Sequence, residues 1–352
     1  MKRLSIIIPT YNMEQLLPAC LDSVVVSSAA AAELDVVVVN DGSKDNSLAI
    51  AKQYEAKYPT IIRVIDKPNG NYGSTINAAL PTLQGEYVKI LDADDSFDSG
   101  AIEPFVEYLA QVSGTDMIVA PYIEISHNGT RKVEYDLYNG KNFGYGVPYN
   151  AEQVFERKAI PFFTMHSIAY RTELLQSIGY HQREGISYTD QLWCFYPIFK
   201  VQSIAFTDIA LYRYNLMREG QTMDSKIQLR KIKELTTVVT DMAQFLDSYG
   251  KELSVERHDF LSGVVMRRMQ GVLRKYLLEM DDQSFANSDF AATLESFLRY
   301  APMPLRVPIN GVLKFDILAR WRVKGRRYSA TTRKAMLAAH SAMEWIYRLI
   351  YN

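Results

Sequence analysis

Only two of the 352 residues are cysteine, Cys20 and Cys194. That is too few for a disulfide framework, and it points to a reducing cytoplasm. Long apolar runs are missing as well: no stretch approaches the roughly 20 apolar residues that span a bilayer. The opening "MKRLSIIIPTYN" has an apolar part too short for a secretion signal, and Pro9 closes it. The expected location is therefore the cytoplasm. An excess of one charge is absent too. The 39 Lys and Arg stand against 40 Asp and Glu, a net charge of −1, so no global field recruits nucleic acid. There is no internal repeat, and low complexity is limited to Ala29–Ala32. Asn128-Gly129-Thr130 matches a glycosylation acceptor, but without a secretion signal it reads as a hairpin turn.

What is present suits a folded protein: 48% of residues are hydrophobic and 22% charged, enough to bury one large core or two smaller ones. Over the first 120 or so residues, short β-branched runs alternate with helical stretches. "LSIIIP", "LDVVVVN", "IIRVID" and "EYVKILD" read as strands, and the near-continuous valine of the second marks burial on both faces. Helices are expected over about 45–57, 74–80 and 100–112. Strand alternating with helix predicts a Rossmann-like, mainly parallel sheet covered on both sides. From Asp116 to Tyr214 the texture shifts to a hairpin, a Gly- and Tyr-rich loop over 138–149 and further mixed segments. From Lys226 onward it is helical. These shifts divide the chain into a catalytic domain over 1–222 and a helical domain over 223–352.

In open parallel sheets, ligands bind beyond the carboxyl ends of the strands. Three of the expected strand ends carry polar groups: Pro9-Thr10-Tyr11, Asn40-Asp41-Gly42 and Asp92-Ala93-Asp94. The last is the most demanding, because Asp92, Asp94 and Asp95 fall within four residues of a buried strand. Carboxylates beside a core are costly unless paired or bound to a cation. A divalent ion with hard oxygen ligands would relieve their repulsion and could hold a diphosphate at its open positions. The plainer alternative is a helix start at which Asp95, Ser96 or Asp98 acts as a cap.

The stretches "SIIIPTYN", "VVVVNDGSKDNS", "NGNYGSTINAAL", "GEYVKILDADD" and "YTDQLW" follow one another in this order. Together they resemble the family 2 glycosyltransferases, which have the GT-A nucleotide-sugar-binding fold. The likeness spans about Leu4 to Gln221. "YGSTIN", "MHSIAYRTELL" and "YRYNLMREGQT" bring it nearest to bacterial cell-surface and exopolysaccharide enzymes. The resemblance implies an inverting transfer from a nucleotide-sugar, favoured as a UDP-sugar, to a hydroxyl of a glycan or lipid-linked acceptor. Pro9, Thr10, Tyr11 and Glu14 would line the base and ribose pocket, and Asp41 would accept a hydrogen bond from the base. Asn69, Gly70, Gly73 and Asn77 would lie near the donor. Asp92, beside Ala93, would bind ribose directly or through the metal, and Asp94 would ligate Mn²⁺ or Mg²⁺. Asp190 matches the aspartate that removes the acceptor proton, a step worth about 10²–10⁴-fold. The family's usual Glu-Asp pair is here Thr189-Asp190. His166, Arg218 and Gln221 are candidates for acceptor or phosphate contact, each with an ordinary structural alternative.

Two other activities fit such a sheet. A sugar nucleotidyltransferase would carry a Gly-rich, basic triphosphate loop after the first strand, where "PTYNMEQ" stands instead. A non-catalytic nucleotide-sugar-binding protein would not need Asp92, Asp94 and Asp190 together. The C-terminal stretch 320–350 is basic and interleaved with Met, Trp, Tyr and Leu. It can lie on an anionic membrane, where each Lys or Arg adds about 1 kcal/mol, or it can pack on the preceding helices.

Overall fold

The computed structural model describes residues 2–27, 29–126, 129–133, 143–216 and 225–302. The expectations on Arg218, Gln221, the 320–350 tail, Asn128 and part of the 138–149 loop lie outside them. The chain divides into two compact units, Met1–Glu219 and Gly220–Asn352.

The first unit contains strands β1 (Lys2–Thr10), β2 (Leu34–Asp41), β3 (Ile62–Lys67), β4 (Gly85–Ile90), β5 (Ser96–Phe97), β6 (Met117–Val119), β7 (Tyr122–Ser126), β8 (Gly129–Val133), β9 (Tyr149–Asn150), β10 (Ile168–Arg171), β11 (Ser203–Phe206) and β12 (Tyr212–Asn215). Its helices are α1 (Leu17–Val24), α2 (Ser47–Lys57), α3 (Asn71–Ala79), α4 (Ser99–Gln111), α5 (Ala151–Glu156), α6 (Thr172–Ser177) and α7 (Asp190–Trp193). Eight strands form one sheet in the order β3-β2-β1-β4-β10-β6-β11-β9, and β5-β12-β7-β8 form a second, smaller one. In the large sheet β1 to β4 run parallel, β10 runs against β4 and β6, and β11 is again parallel to β6. All eight residues of β2 are buried, as its valines require. The right-handed crossover rule sends α3, which returns the chain from β3 to β4, to the face opposite α1 and α2. Both ends of β7 and β8 pair as a hairpin.

The second unit is helical: α8 (Ser225–Arg230), α9 (Ile232–Tyr249), α10 (Val255–Arg274), α11 (Asp282–Ala286) and α12 (Phe290–Tyr300). The helical run expected from Lys226 is broken at Lys231, between α8 and α9, and α10 continues into a π-helical turn over Lys275–Glu279. On α9, Leu235, Val238, Val239, Met242 and Leu246 recur every three or four residues and are buried. No helix among the described residues is long and apolar enough to cross a membrane.

The two edges of the large sheet treat their carboxylates differently. At the amino edge each acid meets an arginine: Glu86 meets Arg3, Asp116 accepts from Arg171 Nη2 at 2.7 Å, and Asp35 accepts from Arg63 Nε at 2.8 Å. Asp35 also accepts from Ser5 Oγ at 2.7 Å and the Gln84 amide at 3.0 Å. Burial pushes the Asp35 carboxyl up, but the hydrogen bonds from Arg63 and Ser5 outweigh it and hold the group below its usual range. Its folded pKa is thus lower than its unfolded one, so its stabilisation is present above pH 3.8 and lost as pH falls below that value. Asp35→Asn is therefore expected to cost about 2 kcal/mol at pH 7, with the gap from wild type closing towards pH 3. Urea unfolding at the two pH values checks this.

Candidate active site

At the carboxyl edge the strand ends converge. β1 ends at Thr10 and β2 at Asp41, while β4 runs out into the turn that carries Asp92, Ala93, Asp94 and Asp95. Because β10 is antiparallel, its beginning lies at this same edge, and the 3-10 turn Met165–Ser167 just before it presents His166 there.

Asp92 is half-buried and its Oδ1 accepts from the Tyr72 hydroxyl at 2.9 Å. Its amide donates to the Tyr212 hydroxyl at 3.2 Å, which donates in turn to Asp95 Oδ2 at 2.6 Å. The other oxygen of Asp95 accepts from the Asn215 amide at 2.7 Å. Asp95 is therefore no helix cap; it ties the acidic turn to β12 of the small sheet. Asp98 caps α4 instead. Burial pushes the Asp92 carboxyl well up, and the charges of Asp94, Asp95 and Asp190 push it further.

Asp92, Asp95 and His166 each offer a ligand atom, all within 4.8 Å of one another. The His166 ring stacks on Tyr214 at 4.2 Å between centroids and meets the edge of Tyr212 at 4.8 Å. Its Nδ1 is buried with no hydrogen-bond partner. Burial, reinforced by the charge of Lys89, pulls the imidazole down to about 3, so it stays neutral and keeps a lone pair. A buried imidazole nitrogen without a partner beside two carboxylates fits a divalent cation. Lys89 lies fully buried behind this trio. It donates to the carbonyls of His166 at 2.7 Å and Ile168 at 3.1 Å, and it sits 5.7 Å from the Tyr212 ring centroid. Burial pulls its ammonium down to about 7.

Asp190 opens α7. Burial raises the Tyr72 hydroxyl, and the charges of Asp92 and Asp190 both raise it further. Two acids nearly a hundred residues apart thus act on one site.

Residues 5–179 match the family described as Glycosyl transferase family 2. An "uncharacterized glycosyltransferase" of Mycoplasma pneumoniae is 30% identical over 277 residues, covering 76% of this chain and 86% of its own.

This chain belongs to glycosyltransferase family 2.

TarS of Staphylococcus aureus, a poly(ribitol-phosphate) beta-N-acetylglucosaminyltransferase, is 27% identical over 64% of this chain and 37% of its own. The crystal structure of TarS 1-349 in complex with UDP-GlcNAc superposes with a TM-score of 0.52 at 19% identity, covering 88% and 92% of the two chains. The mannosyltransferase PcManGT from Pyrobaculum calidifontis, solved with GDP-Man and Mn2+, gives 0.51 at 15% identity, covering 97% and 87%. The fold is GT-A, and the protein is a glycosyltransferase rather than a nucleotidyltransferase or a bare binding module.

Within this glycosyltransferase the expected residues fall into distinct settings. Pro9 and Thr10 are buried at the end of β1, and Tyr11 is 45% exposed beyond it. The Glu14 carboxylate accepts from the Asn46 amide at 3.0 Å and its side chain at 2.8 Å, so it fastens the start of α2. Asp41 is buried, and its Oδ1 accepts from Lys67 Nζ at 2.7 Å, the Gly70 amide at 2.9 Å and Ser74 Oγ at 3.3 Å. Asn69 donates to the Asp41 carbonyl at 2.9 Å. Ala93 is buried in the turn, with Asp94 half-buried beside it and outside the Asp92–Asp95–His166 trio.

Asn77 and Gly73 have a different task from Asp41. Asn77 Nδ2 donates to the Gln182 carbonyl and to Glu184 Oε1, both at 2.8 Å, and its Oδ1 accepts from the Gln182 amide at 2.8 Å. Both residues bind the segment that leads to Asp190. Tyr72, Lys89 and Gln182 escape motif reading, and Asp95, visible in the sequence as one of three crowded acids or a helix cap, serves as the cross-link to β12. Of those three, Lys89 has a visible trace in the sequence, a charge inside the apolar run "YVKIL". A Cβ on Gly73 would stand 1.9 Å from the Arg183 carbonyl oxygen. Gly73→Ala must push that backbone away, so a loss of about 1–3 kcal/mol is expected, read as a fall of several degrees in Tm.

Proposed function

We propose that the enzyme transfers a sugar, with inversion, from a UDP-sugar to a hydroxyl of a cell-surface glycan or lipid-linked acceptor, using a divalent cation. The observation that carries this reading is the trio Asp92, Asp95 and His166, with the charge of Asp190 acting on the same cluster. Asp92 and His166 would hold the cation with Asp95, and Asp94 would join directly or through water. An imidazole nitrogen among the ligands favours Mn²⁺ over Mg²⁺. When bound, the ion supplies positive charge for the departing diphosphate.

The remaining steps belong to side chains. Asp41 would accept from the base N–H, with Pro9, Thr10 and Tyr11 around base and ribose, and Asn69 and Gly70 holding Asp41 in place. Tyr72, its hydroxyl raised well above the usual range, stays protonated and keeps donating to Asp92. Asp190 would take the proton of the attacking hydroxyl from the face opposite the leaving group. Arg218 and Gln221 would contact phosphate or acceptor, a role suggested by sequence alone. The names of relatives support the substrate class: TarS acts on poly(ribitol phosphate), and a minor teichoic acid biosynthesis protein of Bacillus subtilis is 33% identical over 38% of this chain and 15% of its own.

Because the folded state holds the Asp92 proton more tightly than the unfolded chain does, the metal-free protein gains stability as pH falls and loses it as pH rises through the raised pKa. A cation needs the deprotonated group, so Mn²⁺ should raise Tm more at pH 7.5 than at pH 5.5. Asp92→Asn and His166→Ala should abolish that rise, and Asp190→Asn should preserve it while lowering sugar transfer about 10²–10⁴-fold. An Mn²⁺ response that survives both ligand substitutions overturns the cation site. Wild-type transfer by Asp190→Asn overturns the base.

A lipid-linked acceptor would place the enzyme at the inner face of the membrane, and the basic 320–350 stretch motivates that part of the reading. Deleting the residues after Arg320 is expected to reduce co-sedimentation with phosphatidylserine-containing vesicles; equal sedimentation of the two forms would remove the tail from the proposal.

A further inference from the structure

A buried polar chain behind Asp190 has no part in the steps above. The Tyr180 hydroxyl donates to Gln182 Oε1 at 2.9 Å, and Gln182 Nε2 donates to Thr189 Oγ1 at 3.1 Å. Gln182 and Thr189 are fully buried. Burying an amide and two hydroxyls gains little over an apolar core of equal volume, whereas a fully paired network fixes geometry.

Both ends of the chain are anchored where geometry matters. The main chain of Gln182 is clamped on each side by Asn77, at 2.8 Å for both hydrogen bonds. Its neighbour Arg183 presses its carbonyl against Gly73, and the Gly185 amide donates to the Gly70 carbonyl at 2.8 Å. Gln182 is thus fixed to α3, the helix whose Tyr72 donates to Asp92. At the far end, Thr189 follows Tyr188, whose φ of 65° is a left-handed conformation strained for an aromatic residue. The Thr189 carbonyl accepts from the Leu192 amide at 2.9 Å, and Asp190 comes directly after it.

We propose that Gln182 is a positioning residue for Asp190. Through the Thr189 hydroxyl it holds the strained 188–190 turn, so that the Asp190 carboxylate keeps a fixed place relative to Tyr72 and Asp92. The inference rests on the reading of Asp190 as the base.

The test uses the full chain with Mn²⁺, UDP-N-acetylglucosamine and poly(ribitol phosphate), and compares Gln182→Met, Thr189→Val, Thr189→Ser and the Gln182→Met/Thr189→Val double variant. Gln182→Met and Thr189→Val should each lower kcat about 10- to 100-fold, the effect of a carboxylate misplaced by about 1 Å, with donor KM within about twofold. Thr189→Ser should restore the wild-type rate, and the double variant should be no slower than either single one, since both act through one bond. Crystal structures of the two single variants should show the Asp190 carboxylate displaced. They also decide the matter if this donor and acceptor give no turnover. Full kcat in Gln182→Met alongside an inactive Asp190→Asn overturns this inference alone, as does an unmoved carboxylate. An active Asp190→Asn overturns the base assignment itself.

Discussion

Mutual repulsion among carboxylates at one edge of a parallel sheet governs the arrangement of the catalytic unit. With ligand atoms of Asp92 and Asp95 within 4.8 Å, a pair of full charges would repel by on the order of 3 kcal/mol at an effective dielectric of about 20. Asp95 is compensated by two donors, the Tyr212 hydroxyl and the Asn215 amide. Asp92 has the Tyr72 hydroxyl and is held well above its usual pKa. The opposite edge resolves the same problem by pairing Asp35, Glu86 and Asp116 with arginines. The sheet thus pairs these acids with arginines at one end and crowds Asp92 and Asp95 at the other, the contrast on which the proposed cation site rests.

The antiparallel strand β10 completes that end. A further parallel strand would begin at the amino edge, with the residues before it beside the arginines. Reversal instead brings the Met165–Ser167 turn, and His166 with it, to the acids. Holding that turn calls for Lys89, a buried cation whose two described hydrogen bonds go to main-chain carbonyls. A buried ammonium is costly, as its lowered pKa reflects, and a leucine would suit a central strand better. The fold accepts this cost at the one place where it secures the His166 backbone.

Much of this was legible in sequence because strand periodicity and strand ends are local properties. The four N-terminal strands, the hairpin of β7 and β8 and the carboxyl-edge convergence all follow from composition within a few residues. Which acid of the "DADD" turn faces inward does not. Successive turn residues point in different directions, and it is Tyr212, 117 residues from Asp95, that selects Asp95 as the cross-link. The partners of Asn77 are hidden from the sequence for a related reason. Expected near the donor as part of "YGSTIN", it hydrogen-bonds Gln182, 105 residues away, a pairing that no local pattern carries. His166 was readable only as a candidate, because the unpartnered Nδ1 that marks it is a property of packing.

Helix α3 gives these long-range contacts a common origin. Its N-terminal turn reaches Asp41, on the proposed nucleotide side, through Gly70 and Ser74, and Asp92, on the proposed phosphate side, through Tyr72. Its later residues Gly73 and Asn77 hold the segment that leads to Asp190. A short rigid element touching all three regions fixes their spacing more sharply than three separate loops would, since a helix resists bending where loops do not. The proposed in-line displacement would need leaving group and base on opposite sides of one carbon, where a misplacement of about 1 Å is costly. Gly73 is then less a concession to flexibility than the gap that lets the Asp190 segment close onto α3.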